Sequence, residues 1–153
     1  MTTTAAIRWW DDDAQIAVTA GTPTHVFAAK ADASPAVELA LNYPTTVLSL
    51  VLADPQIDVD ALADQLAAVA VPTLVIASAP DSSTDLTVPQ RLSGAIDNAV
   101  FVVIDDCTHP VHTGNRESFR EWTASFVTIA EGLARRAGTA LAPPTPLAEG
   151  ALE

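Results

Sequence analysis

Val71-Pro-Thr-Leu-Val-Ile-Ala-Ser-Ala-Pro-Asp81 is the stretch on which the fold turns. Its centre, Thr73-Leu-Val-Ile-Ala77, is a short, continuous apolar run rich in β-branched side chains and bracketed by Pro72 and Pro80. Such a run fits a strand buried on both faces, as in a parallel sheet. Runs of the same kind flank it: Val47-Leu-Ser-Leu-Val-Leu52 upstream and Ala99-Val-Phe-Val-Val-Ile104 downstream, with the shorter His25-Val-Phe-Ala-Ala29 earlier still. Helical periods fill the gaps. Val59, Leu62, Leu66 and Val69 recur at spacings of three, four and three, which predicts a helix ending before Pro72. Ser34-Pro35 supplies an N-cap and a proline at the first helical position, so a helix is expected through Leu41, stopping at Tyr43-Pro44. Asp11 to Ala20 reads as a short helix with Asp11, Asp12 and Asp13 at its positive end. Phe119, Trp122, Phe126, Ile129 and Leu133 predict a long amphipathic helix near the C-terminus.

Strand and helix alternating in this way mean an α/β fold, a mostly parallel four-stranded sheet with right-handed crossovers. If the strands lie in sequential order, the connecting helices share one face, and the first and last helices alone cover the other. Such a thinly covered sheet predicts self-association, as a homodimer or with a partner subunit. The 153 residues suit one domain, expected over 1–138, with a disordered Pro- and Ala-rich tail over 139–153. Seven Lys plus Arg against nineteen Asp plus Glu give a formal charge of −12, which argues against nucleic acid and anionic lipid as partners. The single cysteine, Cys107, excludes an internal disulfide and a cysteine-based zinc cluster. Asp11-Asp12-Asp13 and Asp105-Asp106 lack the alternating ligands of a calcium loop, so neither metal nor cofactor is expected. The N-terminal residues show no secretory pattern, and a cytoplasmic location is the expectation.

Three stretches, in order, resemble the α/β-hydrolase fold family. Tyr43-Pro-Thr-Thr-Val-Leu-Ser-Leu-Val-Leu-Ala-Asp54 is similar to the segment after the nucleophile helix. Val71 to Asp81 resembles the family's Val-Pro-Thr-Leu-Val-Ile-x-Gly-x-x-Asp, whose last residue is the triad acid. Asp106-Cys-Thr-His109, with Phe119 ten residues later, resembles the histidine turn and the last helix. The likeness covers roughly Trp10 to Leu133 and implies a truncated, capless form, the C-terminal half of that fold.

The resemblance implies roles residue by residue. Asp81 and His109 fall on the acid and base positions. Fourteen residues before Pro44, the nucleophile position carries Lys30, the only lysine in the chain, within Ala28-Ala29-Lys30-Ala31-Asp32. The family pattern there is Gly-x-Ser-x-Gly, a strained turn needing small neighbours, and both glycines and the serine are missing. Lys30 is read as an ion-pair filler rather than a Schiff-base nucleophile, and Asp32 as a nucleophile would break the Tyr43-Pro44 spacing. Cys107 reads as a buried structural thiol, and His25 and His112 as strand-edge and surface residues. Trp9, Trp10 and Trp122 either line a pocket or pack in a core or interface. Two functions follow as expectations. The first is a non-hydrolytic binding, scaffold or accessory module that self-associates. The second is an enzyme using Asp81 and His109 for acid/base chemistry on a small apolar substrate in a cleft completed by a second subunit.

Overall fold

The computed structural model of the protein describes residues 5–139 and Leu141. Five strands form one fully parallel sheet in the order β1-β2-β3-β4-β5: β1 (Ala6–Trp9), β2 (Thr24–Ala29), β3 (Val47–Ala53), β4 (Thr73–Ala79) and β5 (Ala99–Asp105). The expected count of four is corrected by β1. This strand has four residues, includes Arg8, and is largely exposed at the edge of the sheet, so it carries no continuous apolar run by which a sequence would reveal it.

The helices are α1 (Asp12–Thr19), α2 (Ala33–Asn42), α3 (Ala63–Ala67), α4 (Thr87–Ala95), α5 (Val111–Gly114) and α6 (Arg116–Arg136). The Asp11 carboxylate caps α1 by accepting from the Ala14 amide at 2.8 Å. The Ser34 cap is corrected: a 3-10 turn over Lys30–Asp32 leads directly into α2, whose first residue is Ala33, and Ser34 lies inside the helix. The Val59–Val69 helix contracts to the five residues of α3, although Val59, Leu66 and Val69 are all buried as their spacing implied.

Because β1 exists, α1 is itself a crossover. It therefore sits with α2, α3 and α4 on one face, where Val18, Val37, Leu66 and Leu92 pack on Val26, Leu50, Leu52 and Val75. The opposite face carries Phe27, Val51, Leu74, Ile76 and Val102 and is covered by α5 and α6 through Val111, Phe119 and Val127. The first helix does not help cover it, contrary to expectation, because a right-handed β1-α1-β2 unit places α1 with the other crossovers. The predicted stripe on α6 is also rotated. Phe119, Thr123, Val127 and Ala130 are buried, whereas Trp122, Ile129 and Leu133 are exposed.

His25 is not at an edge. It lies fully buried on β2, its Nδ1 2.7 Å from Ser49 Oγ on β3 and its Nε2 3.0 Å from Glu131 Oε2 on α6. The contact pins the last helix to the middle of the sheet. Of the expected tail, Thr139 and Leu141 are described, and Leu141 is buried; the rest of that expectation falls outside the described residues.

Candidate active site

Parallel strands deliver their C-terminal ends to one edge, where loops can converge. Three non-glycine residues with left-handed backbone lie there, one after each of three strands: Lys30 (φ 52) after β2, Asp54 (φ 45) after β3 and Asp106 (φ 53) after β5. Aspartate tolerates this region better than most residues, whereas lysine does not. Left-handed non-glycine residues of this kind gather where a surrounding structure fixes them. Lys30 thus occupies a sharp strand-to-helix turn, held by a hydrogen bond from the Gln56 amide to its carbonyl at 3.0 Å. Its side chain is exposed.

Asp54 is the hub of this edge. Its Oδ1 accepts from the Ser78 amide at 2.8 Å, and its Oδ2 accepts from Ser78 Oγ at 2.8 Å and from the Val111 amide at 2.7 Å. The carboxylate thereby joins β3, the end of β4 and the loop after β5. Ser78 Oγ is also hydrogen-bonded to His109 Nδ1, and that nitrogen lies 3.6 Å from Asp54 Oδ2. Since the Ser78 hydroxyl donates to Asp54, the neutral-imidazole assignment that satisfies both bonds places the proton on His109 Nδ1. The resulting chain runs from His109 through Ser78 to Asp54 and leaves the His109 Nε2 lone pair outside it. Ser78 is fully buried, while the His109 side chain is half exposed.

The structure does not bring Asp81 to His109. Asp81 lies on an exposed turn beyond β4, where its carboxylate accepts from Ser83 Oγ and, at 2.8 Å, from the Ser83 amide. These bonds, the hydroxyl first, hold it below the usual carboxylate range. Asp54 and Ser78 are the residues the sequence reading passed over. A signal existed for both. Asp54 ends the quoted Tyr43–Asp54 segment, and Ser78 is a polar residue at the end of an apolar run, standing where the family pattern has glycine.

Cys107 is buried, and burial pushes its thiol up, so it supplies little thiolate. His112 is held below its ordinary value first by burial, with the Lys30 charge acting the same way and Asp54 opposing. Its ring centre lies 4.7 Å from that of Trp9, which stacks on Phe119 at 5.9 Å. Trp10 packs on the opposite core, and Trp122 is exposed. Gly114 passes so close to the Thr108 carbonyl that a Cβ would sit 2.0 Å from its oxygen, which fixes the loop presenting His109. A cavity of about 360 Å³ adjoins Asp54 and Ser78, lined also by Pro55, Ile57, Leu86 and Val88. Among the described residues, no group of three His, Cys, Asp or Glu is placed to hold a metal ion, and no helix is long and apolar enough to cross a membrane.

No family model matches the chain, and no curated protein matches it in sequence. Solved structures do. A predicted CIB-like hydrolase from Thermoplasma acidophilum superimposes with a TM-score of 0.62 at 17% identity, covering 71% of this chain and 52% of its own. The serine hydrolase CarC, involved in carbazole degradation, gives 0.60 at 15% identity over 71% of this chain and 64% of that one. MGS-MChE2, an alpha/beta hydrolase enzyme from a sediment metagenome of the Mar Chica lagoon in Morocco, gives 0.67 at 12% identity, over 86% of this chain and 93% of that one. The fold is that of the α/β-hydrolases, and the chain spans about half to two-thirds of the length of the first two.

Proposed function

We propose that the protein is a non-hydrolytic α/β-hydrolase-fold module that acts by binding, as a scaffold or accessory subunit. One observation carries this reading: the hydroxyl beside His109 belongs to Ser78, which is fully buried and donates its hydrogen bond to Asp54. A serine nucleophile needs the reverse, an accessible Oγ whose proton passes to the histidine. The strand-to-helix turn, where such a serine stands in hydrolases of this fold, presents Lys30 instead. An amine nucleophile requires a desolvated lysine, and Lys30 is exposed. The cavity beside Asp54 is lined mainly by apolar side chains and suits a small apolar ligand. Incubation with a fluorophosphonate probe tests the reading. No covalent adduct is expected by intact-mass spectrometry, and a stoichiometric adduct on a serine of this chain would overturn it.

A second reading rests on the Asp54–Ser78–His109 chain. With Nδ1 committed to Ser78, Nε2 is free to take a proton from a substrate, and Asp54 would stabilise the imidazolium through the serine. The near-full coverage of MGS-MChE2 means that a chain of this size is compatible with catalysis in that protein. On this reading a small apolar substrate binds in a cleft completed by a second subunit, and turnover disappears in His109→Ala and falls in Ser78→Ala. Turnover undiminished in His109→Ala would dispose of it.

A further inference from the structure

We infer that the groove between β1 and α6 binds a small aromatic carboxylate, at a place separate from the cavity beside Asp54. The groove has a volume of about 480 Å³ and is walled by Ile7, Trp9, His112 and Phe119, with Arg116 and Arg120 on its helix side. It shares no lining residue with the Asp54 cavity. Ile7 and Trp9 are two residues apart on the edge strand and so point to the same face, where they remain 54% and 39% exposed. The Trp9 ring is held from within: it meets Phe27 edge-on at 5.5 Å and lies 4.7 Å from the His112 ring. Its exposed surface is therefore a fixed aromatic wall on which another flat ring can pack.

Charge decides what the groove selects. The chain has nineteen Asp and Glu against seven Lys and Arg. Even so, Arg116 and Arg120 form no ion pair among the described residues, including Glu117 and Glu121 beside them in sequence. The two arginines stand four residues apart on one helix face, an arrangement in which like charges repel and which an anion between them relieves. Their planar guanidiniums match a carboxylate in shape as well as charge. The Nδ1 of His112, in the same wall, is buried without a hydrogen-bond partner among the described residues, an orphan of the kind that a bound oxygen satisfies.

The dimensions fix the size of the occupant. Along α6 the groove runs from Arg116 to Ala124, about 12 Å of helix axis. Along β1 it runs from Ile7 to Trp9, about 7 Å of strand. One or two fused rings with a carboxylate fit that length, whereas a helix or strand of a protein partner would extend well beyond it. Both halves of such a ligand are needed. An inorganic anion would leave Trp9 and Ile7 in water, and a neutral ring would leave the guanidiniums unpaired.

Equilibrium dialysis of the full chain against 2-naphthoate tests this, with 2-naphthalenemethanol supplying the ring without the charge and acetate the charge without the ring. 2-Naphthoate is expected to bind at one site per chain, and the alcohol and acetate at least about tenfold more weakly. Arg116→Gln combined with Arg120→Gln raises the naphthoate dissociation constant at least about tenfold with unchanged far-UV circular dichroism. Val88→Trp, which fills the cavity beside Asp54, leaves naphthoate binding as it is. No binding at about 1 mM 2-naphthoate overturns the inference. So does an affinity that the paired arginine substitution leaves unchanged, an alcohol bound as tightly as the carboxylate, or binding lost in Val88→Trp instead. No serine lines the groove, so these outcomes are independent of the fluorophosphonate result.

Discussion

Asp54 ties the ends of β3 and β4 to the loop after β5 through one carboxylate. It adopts a left-handed backbone conformation and uses its carboxylate to satisfy two backbone amides, of Ser78 and Val111, that belong to different strand-loop units. Removing the carboxylate leaves both amides without that acceptor at a largely buried site, and hydrogen bonds to charged groups contribute about 1.5–3 kcal/mol each. Asp54→Ala is therefore expected to cost about 3 kcal/mol and to lower the melting temperature by on the order of 10 °C. Ser78→Ala, which removes a hydroxyl and leaves the amide bond intact, is expected to cost about 1 kcal/mol. Calorimetry on the two variants checks the order; equal losses would mean that the serine, not the aspartate, organises the edge. Gly114 acts on the same site through packing. A methyl group there meets the Thr108 carbonyl, which belongs to the backbone and can yield only by moving the His109 loop. Gly114→Ala should cost about 1–3 kcal/mol and shift the His109 imidazole resonances in an NMR spectrum; unshifted resonances would show that the loop does not depend on this approach.

At the scale of elements, α6 shows what a hydrophobic period can and cannot say. The repeat Phe119, Trp122, Phe126, Ile129, Leu133 placed the helix correctly, because apolar residues at that spacing are stable as one stripe. It misplaced the buried face, because what packs on a sheet is decided by fit as well as by apolarity. Thr123, Val127 and Ala130 are smaller, so a helix riding on them lies close to Val51 and Ile76, and the buried Thr123 hydroxyl is satisfied by the Phe119 carbonyl at 2.8 Å. The polar His25–Glu131 contact then fixes the rotation. No local pattern announces a contact between residues 106 positions apart. That contact has a pH signature. Burial lowers the His25 pKa from 6.5, with Glu131 opposing, and Arg135 lies 3.6 Å from Glu131. A histidine harder to protonate when folded takes up more protons in the unfolded chain, so stability is complete above the unfolded value near 6.5 and falls as the pH drops below it. His112, also lowered, contributes in the same direction. Urea denaturation between pH 5 and 7.5 should show this loss, with a shallower slope in His25→Gln; a slope unchanged by that substitution would exclude His25 as its source.

For the whole molecule, the alternation of buried runs was enough to reveal a parallel α/β sheet, since continuous apolar strands need cover on both faces, while the resemblance to the α/β-hydrolases rested on the stretches Tyr43 to Asp54, Val71 to Asp81 and Asp106 to His109. The edge strand β1 was not legible, because an exposed four-residue strand has no such requirement, and neither was the Asp54–Ser78 pairing, which forms only when two strand ends are side by side. By adding β1, the fold moves α1 to the crowded face and leaves the other to α5 and α6. The charge of −12 acts against any association of two copies through that sparsely covered face. The Debye length falls from about 30 Å at 0.01 M to about 8 Å at 0.15 M, which suppresses repulsion across the width of a protomer. If the protein acts as a self-associating subunit, its association should therefore strengthen as ionic strength rises over that range, and its melting temperature should rise with protein concentration at fixed salt. A dissociation constant that increases with salt in sedimentation equilibrium would show that net-charge repulsion is not what opposes the contact.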